Sequence, residues 1–172
     1  MRGVYGFRID GVEKVTYNHS DSDPDGLGRQ IIEWARHTPL AHQRKIARAL
    51  ILVPLNGTPT PEQVAECRPW AAKGLVGTGQ AVDWHNLLRE AQGRPEAWDV
   101  GLRYMTDARR RLHDPNTDAE WGYVLDLDQE ILDVYTSKLS RLELVRLMQW
   151  RLDALPPTDA AVRQLAEQQE DG

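Results

Sequence analysis

The sequence predicts an α+β fold: an antiparallel sheet of about four strands, made from two hairpins, with several helices packed on it. Residues 3–19 and 120–136 show the alternation of side chains, in steps of two, that is typical of strands. The residues between these stretches carry apolar side chains at the wider spacing that is typical of helices. A lone two-stranded hairpin is only marginally stable, so we expect the two hairpins to join in one sheet beneath the helices.

The first hairpin is predicted from Asp10-Gly11, which separates the two strand-like runs of residues 3–19. This dipeptide favours a type I′ turn, because that turn needs positive φ at both of its central residues. The turn then sets which residues face each other: Ile9 with Val12, Arg8 with Glu13, and Val4 with Tyr17. We expect the opposite charges of Arg8 and Glu13 to contribute up to about 1 kcal/mol to the stability of the hairpin.

Helices are predicted over residues 27–37, 41–53, 61–72, 81–92, 95–112 and 139–153. The last of these carries a broad apolar stripe at helical spacing, from Leu139 to Leu152. After Pro156-Pro157, a short polar helix is predicted from Thr158. We therefore expect a single domain over residues 1–155, with residues 156–172 forming the polar helix and a frayed tail.

The composition indicates a globular protein of the reducing cytoplasm. The net charge is −5 and the pI is about 5.5, which argues against non-specific nucleic-acid binding, because that binding needs many phosphate-neutralising Lys and Arg side chains. Cys67 is the one cysteine, so an internal disulfide is excluded. The longest apolar run, residues 49–55, is far too short to span a membrane, and no signal peptide is recognised. We expect a cytoplasmic location and no contact with a membrane.

The densest run of chemically capable side chains is Tyr17–Gly28, which reads Y-N-H-S-D-S-D-P-D-G-L-G. Asp21, Asp23, Asp25 and the glycine after them match the first half of an EF-hand calcium loop, in which alternate carboxylates point at the ion. The second half does not match, because the bidentate glutamate comes one residue too late, at Glu33. Two interpretations stay open: the three aspartates are metal ligands, or they cap the N-terminus of the next helix.

Asn18, His19 and Asp21 form a candidate catalytic group in the same stretch. A carboxylate can orient a histidine, which can then activate a neighbouring serine as the nucleophile of a hydrolase. Glu120, on the second hairpin, could join this group from across the sheet. Contiguous residues rarely converge as a catalytic triad requires, so the alternative interpretation is a polar strand end.

Arg109, Arg110 and Arg111 form a basic run that is suited to a partner, because clustered guanidinium groups can bind an acidic segment or a phosphate. Such a run is also typical of the solvated face of a helix. No cofactor is predicted. The glycines at positions 74, 77 and 79 lack the Lys-Ser/Thr of a phosphate-binding loop, and the five histidines lack the spacing of a zinc site.

Three runs of residues resemble those of a known family. They are G-V-Y-G-F-R-I-D-G and Y-N-H-S-D-S-D-P-D-G-L-G, within residues 3–28, and E-W-G-Y-V-L-D-L-D from Glu120. The family is an uncharacterised group of small phage, prophage and bacterial proteins. It implies no activity, and it has an aromatic residue where this chain has Asp23. The resemblance favours an origin in a phage or mobile element.

These observations predict a small cytoplasmic binding or accessory protein of phage or mobile-element type, without catalysis, that acts through contacts with another protein. A small molecule is the second kind of partner considered, and nucleic acid is not expected. The alternative function is a small hydrolase or metal-dependent enzyme with its site in residues 17–28. A convergent pocket at the end of the second strand would favour the enzyme, and a flat apolar or charged surface without one would favour the binder.

Overall fold

The computed structural model describes residues 1–137 and 142–170. The strands are β1 (Gly3–Ile9), β2 (Val12–Asn18), β3 (Ile51–Val53), β4 (Tyr104–Thr106), β5 (Trp121–Asp126), β6 (Ile131–Thr136) and β7 (Val145–Arg151). The helices are α1 (Arg29–His37), α2 (Leu40–Ala49), α3 (Pro61–Cys67), α4 (Trp84–Leu88), α5 (Glu96–Asp99), α6 (Arg109–His113) and α7 (Thr158–Glu170). None of the helices in the described ranges has the length and apolar character that crossing a membrane requires.

A five-stranded mixed sheet forms the centre of the molecule, with the strand order β2-β1-β5-β6-β7. The α+β class is confirmed, but the prediction of a purely antiparallel sheet of about four strands is wrong in two respects. β1 and β5 run parallel, with Gly3 opposite Trp121 and Arg8 opposite Asp126, and β7 adds a fifth strand. Parallel neighbours need a long crossover, and the mainly helical residues between β2 and β5 supply it.

Both predicted hairpins are present, as β1–β2 and β5–β6. In the first hairpin the predicted register is confirmed: Ile9 faces Val12, Arg8 faces Glu13, and Val4 faces Tyr17. Asp10 and Gly11 have positive φ angles of 52° and 73°, as the type I′ turn requires. Asp128, in the turn of the second hairpin, stabilises this conformation, because its carboxylate accepts hydrogen bonds from the backbone N–H groups of Asp10 at 2.8 Å and Gly11 at 2.9 Å.

The helix predicted over residues 139–153 is wrong, because Val145–Arg151 forms β7 and pairs antiparallel with β6. Residues 139–141 of that prediction lie outside the described ranges. The apolar residues of β7 suit either period, and strict alternation is broken where the pairing register shifts between Val134 and Tyr135 of β6. Pairing with β6, which is a tertiary contact, decides the conformation of this segment.

The helices predicted over residues 41–53 and 95–112 are each interrupted by a short strand. The first ends at Ala49 and is followed by β3, and the second is divided into α5, β4 and α6. β3 and β4 pair in parallel as a second, small sheet. Both strands are only three residues long, and periodicity alone cannot assign so short a run to a strand or a helix.

Apolar clusters cover both faces of the five-stranded sheet, and a further cluster surrounds the small sheet. On the first face, the Trp98 ring lies 4.6 Å from the ring of Phe7 and 5.0 Å from that of Trp34, measured between centroids. The polar helix predicted from Thr158 is present as α7, and it buries Ala161 and Leu165 in this cluster. On the opposite face, α6 contributes its one buried residue, Leu112.

Gly6→Ala tests the close pairing at the centre of the first hairpin. Gly6 has a φ of 155°, and an added Cβ would lie 2.0 Å from the backbone oxygen of Lys14. Because backbone atoms cannot yield without breaking the strand pair, we expect this substitution to lower the free energy of unfolding by about 2 kcal/mol or more, measured by urea denaturation. Gly79→Ala is the control, since an added Cβ there meets nothing within 4 Å. Equal stability of the two variants would contradict this account.

Candidate functional site

The stretch Tyr17–Gly28 comprises the end of β2, a loop over residues 19–23 and a helical turn over Pro24–Gly28, and much of its polar chemistry holds the loop in place. The Asn18 side chain is buried, and its amide donates hydrogen bonds to the Ser22 hydroxyl at 2.8 Å and to the Ser20 carbonyl. The Tyr123 hydroxyl of β5 donates to the Ser22 carbonyl at 3.0 Å. The amide that was predicted to be catalytic therefore anchors the loop to the fold.

The three aspartates of this stretch have different partners. Asp23 caps the helical turn that follows it, because its carboxylate accepts a hydrogen bond of 2.7 Å from the backbone N–H three residues later. Asp25 pairs with Arg29 at 2.8 Å, and Asp21 is exposed, with a positive φ of 52°. Within residues 1–137 and 142–170, no three His, Cys, Asp or Glu side chains are grouped so that they could hold a metal ion. For Asp23, the hydrogen bonds thus support the capping interpretation.

His19 is exposed and lines a cleft of about 270 Å³. This cleft lies where the ends of β2 and β4 meet α6 and the segment before β5, and Leu55 and Ala108 give it an apolar part. We name it the histidine cleft. Its polar lining includes Arg2, Tyr17, His19, His85, Arg111 and Asp118. Of the three residues predicted to be catalytic, the cleft contains His19 alone, and no hydrogen bond within the described ranges joins His19 to Asn18 or Asp21.

Two arginines in the histidine cleft share one carboxylate. Arg111 forms an ion pair with Asp118, and Nη1 of Arg2 lies 3.4 Å from an oxygen of the same carboxylate. The Arg111 guanidinium also lies over the ring of Tyr17, with its Cζ atom 4.0 Å from the ring centroid, a favourable cation–π contact. Burial raises the pKa of Tyr17, and the charge of Asp118 adds to the increase. The Tyr17 hydroxyl therefore stays protonated at neutral pH.

The predicted basic run lies on α6, and the structure brings it next to His19. Arg109 is held by Asp107, whose carboxylate oxygens accept hydrogen bonds from its Nε at 2.9 Å and its Nη2 at 2.6 Å; these bonds lower the pKa of Asp107. Arg111 lines the histidine cleft. Arg110 is exposed, and it has no hydrogen bond or ion pair with any residue in the described part of the chain. It lies between two open depressions of about 490 Å³ and 390 Å³.

A second charged cluster surrounds Arg8, on the sheet face that α6 covers. The guanidinium contacts Glu13 at 2.9 Å, Asp133 at 3.0 Å and the Tyr135 hydroxyl at 3.0 Å, and Asp126 is 3.8 Å away. Burial alone would lower the pKa of Arg8, but the hydrogen bonds with Tyr135 and Glu13 outweigh burial and raise it. The sequence predicts the Arg8–Glu13 pair, which is confirmed, but not the contacts of Arg8 with Asp126, Asp133 and Tyr135. The available signal was the pair of aspartates inside otherwise apolar strands, where a carboxylate needs a buried partner.

Glu13 connects this cluster to the end of α6. Its Oε1 lies 2.6 Å from Nε2 of His113, and its Oε2 lies 2.9 Å from Nε of Arg8. Burial alone would raise the pKa of Glu13, but the hydrogen bonds with His113 and Arg8 outweigh burial and lower it. The carboxylate is therefore ionised at neutral pH and ties α6 to the sheet.

Comparison of the whole chain with protein-family models, with curated proteins and with solved structures finds no match in any of the three. The resemblance to small phage and bacterial proteins therefore stays a prediction.

Asn18→Ala tests the anchoring role of the buried amide. Removal of this donor takes a hydrogen bond from both the Ser22 hydroxyl and the Ser20 carbonyl and leaves them a long bond of 3.4 Å to each other. The backbone of Gly93 also approaches this tightly packed point. We expect the free energy of unfolding to fall by about 1–3 kcal/mol, measured by urea denaturation. His19→Ala, a change at the exposed neighbour, is the control and should be nearly neutral. An Asn18→Ala variant as stable as this control would contradict the anchoring role.

Glu13→Gln tests the link between α6 and the sheet through its pH dependence. The folded-state pKa of Glu13 is lowered, so its contribution to stability is present above the ordinary glutamate pKa of about 4.3 and is lost as the pH falls through the folded-state value. At neutral pH we expect the variant to be less stable than the wild type by about 1–3 kcal/mol. That gap should shrink in acid, as urea denaturation at a series of pH values would show.

The exposed pair Arg89–Glu90 offers the control for this experiment. Glu90→Gln changes the charge by the same amount outside the cluster, and its effect should be small at every pH. A gap between Glu13→Gln and the wild type that stays constant down to strongly acidic pH would contradict the assignment of this titration to Glu13.

Proposed function

We propose that the chain is a non-catalytic binding protein that contacts an acidic segment of another protein through the outer face of α6. This face comprises Arg109, Arg110 and His113, with Arg111 at its border with the histidine cleft. The observation that carries the proposal is the exposed guanidinium of Arg110, which has no partner in the described ranges and lies between two open depressions.

The three arginines of α6 differ in what they can offer a partner. Arg109 and Arg111 are each paired with a carboxylate, from Asp107 and Asp118, so Arg110 carries the unbalanced positive charge of the helix. A carboxylate of the partner can pair with Arg110, and the depressions on both sides leave room for the residues that flank it. Because an exposed ion pair contributes at most about 1 kcal/mol, the contact is weak unless several acidic groups take part, and it is sensitive to salt.

Nucleic acid fits this surface less well. Asp107, Asp114 and Asp118 line the same depression as Arg110 and Arg111, so a continuous run of phosphates would be repelled where it is also attracted. Nucleic-acid binding rests on the release of many counterions by clustered Lys and Arg, and the chain as a whole carries a net charge of −5. An acidic peptide can place a carboxylate next to Arg110 and uncharged residues next to the aspartates, whereas a nucleic acid carries a charged phosphate at every nucleotide.

The enzyme alternative receives less support than binding. A cleft does lie at the end of β2, but of Asn18, His19 and Asp21 it contains only the histidine. The amide is committed to the loop, and within the described ranges no carboxylate accepts a hydrogen bond from His19. A general base needs both a group that orients it and a nucleophile within hydrogen-bond reach, and neither is in place.

We also propose a cytoplasmic location and an origin in a phage or mobile element. The location is supported by the single cysteine, Cys67, which is buried and unpaired and suits a reducing compartment. The origin is supported by the resemblance carried by residues 3–28 and the run from Glu120.

Arg110→Glu tests the proposed surface. The probe is a fluorescein-labelled peptide that alternates glutamate with serine, titrated with the full-length protein at low ionic strength and followed by fluorescence anisotropy. We expect the wild type to bind the peptide and the variant to bind at least about tenfold more weakly, because a repulsive contact replaces an attractive one. Arg151→Glu changes the net charge by the same amount at an exposed arginine whose ion pair within the described ranges is with Asp153, and it should bind nearly as the wild type does.

Two results would overturn the proposal. If Arg110→Glu and Arg151→Glu weakened binding equally, the peptide would be responding to overall charge and not to α6. If a labelled single-stranded oligonucleotide of equal charge bound more tightly than the peptide, and Arg110→Glu removed that binding, the partner class would be nucleic acid.

A further inference from the structure

The residues that line the histidine cleft include more hydrogen-bond donors than acceptors can satisfy, and more positive than negative charge is left at the cleft. Arg2 and Arg111 share the single carboxylate of Asp118. The other carboxylate at the cleft, that of Asp107, is held by Arg109 through two hydrogen bonds. Among the residues that line the cleft, one positive charge is therefore left without a counter-charge. The Glu120 carboxylate lies outside the lining and accepts a 3.4 Å hydrogen bond from the backbone N–H of Arg2.

The imidazoles add donors that are free to bind a ligand. His19 and His85 are exposed, and neither side chain makes a hydrogen bond with another residue in the described ranges. The imidazole of His19 packs edge-on against the Tyr17 ring, with the two ring centroids 6.4 Å apart. The Arg111 guanidinium contacts the same ring, with its Cζ atom 4.0 Å from the ring centroid. Tyr17 thus supports an imidazole and a guanidinium on one wall of the cleft.

We propose that the histidine cleft binds the phosphoryl group of a small phosphate monoester. A phosphate monoester carries about −1.5 to −2 charges at neutral pH and presents three acceptor oxygens. It therefore matches the donors of two arginines and two histidines better than a carboxylate does, because a carboxylate has one charge and two oxygens. Guanidinium groups also bind phosphate through paired hydrogen bonds.

The size and lining of the cleft limit the rest of the ligand. Its volume of about 270 Å³ is slightly below the range of roughly 300–1,000 Å³ that is usual for drug-sized ligands. It therefore accommodates a phosphoryl group with a small organic part. Leu55 and Ala108 provide apolar contacts for that part, and Thr106 also lines the cleft. This site is separate from the outer face of α6, because Arg110 does not line it.

The experiment uses uniformly labelled full-length protein and ¹H–¹⁵N correlation spectra near neutral pH, at constant ionic strength. The probes are inorganic phosphate, phenyl phosphate and benzoate, the last two of which share a ring and differ in the anionic group. We expect saturable shifts, with a dissociation constant on the order of 1 mM, confined to residues 2, 17–19, 85, 106–111 and 118. Phenyl phosphate should bind more tightly than inorganic phosphate and at least about tenfold more tightly than benzoate.

Variants locate the binding within the cleft. Arg2→Gln and His85→Gln change exposed side chains and should weaken phenyl phosphate at least about fivefold each without altering the free energy of unfolding. Arg110→Gln is the matched control, since it removes the same charge from α6 outside the cleft, and it should leave the affinity unchanged. Shifts that do not saturate, equal affinities for benzoate and phenyl phosphate, or equal losses in Arg2→Gln and Arg110→Gln would each overturn the proposal. None of these results would bear on peptide binding at Arg110.

Discussion

The five-stranded sheet depends on the partly buried guanidinium of Arg8. From β1 it contacts Glu13 on β2, Asp126 on β5, and Asp133 and Tyr135 on β6. Removing a charge from water costs several kcal/mol unless it is paired and hydrogen-bonded, and here the partners converge only if β1 lies between β2 and β5 with β6 next to it. We infer that this network favours the observed strand order over an antiparallel joining of the hairpins, because such a joining would bring other residues opposite Arg8.

The parallel pairing of β1 with β5 has a consequence for the surface. The chain must cross from the end of one hairpin to the start of the other, and the crossover includes β3 and β4. Thr16 of β2 and Thr106 of β4 meet through a 3.1 Å hydrogen bond between their hydroxyls, and the Ala108 N–H donates to the Val15 carbonyl at 2.8 Å. The histidine cleft opens at this junction between the two sheets. It therefore exists because of the topology and has no counterpart in the local sequence.

The sequence specified local features well and long-range ones poorly. Asp10-Gly11 determined the turn and the register of the first hairpin, because both follow from the conformation of two residues. The helix predicted over residues 139–153 is wrong over β7, since the apolar residues of this segment suit a helix as well as a strand until β6 is alongside. The composition of the stretch from Tyr17 to Gly28 predicts a site, yet the Asn18 amide anchors a loop and the Asp23 carboxylate caps a helical turn. His19 and Arg111 were each noted, but only the fold shows that they line one cleft.

The two proposed binding surfaces differ in how their arginine side chains are held. A five-residue helix is not stable alone, so α6 depends on the Ala108 hydrogen bond to β2, on the buried side chain of Leu112, and on the contact between His113 and Glu13. These contacts fix its backbone. Arg111 is further held by Tyr17 and Asp118, whereas no hydrogen bond or ion pair within the described ranges restrains the exposed side chain of Arg110. A fixed guanidinium loses little entropy on binding and so suits a small ligand of defined shape, and a mobile one suits peptides of varied sequence.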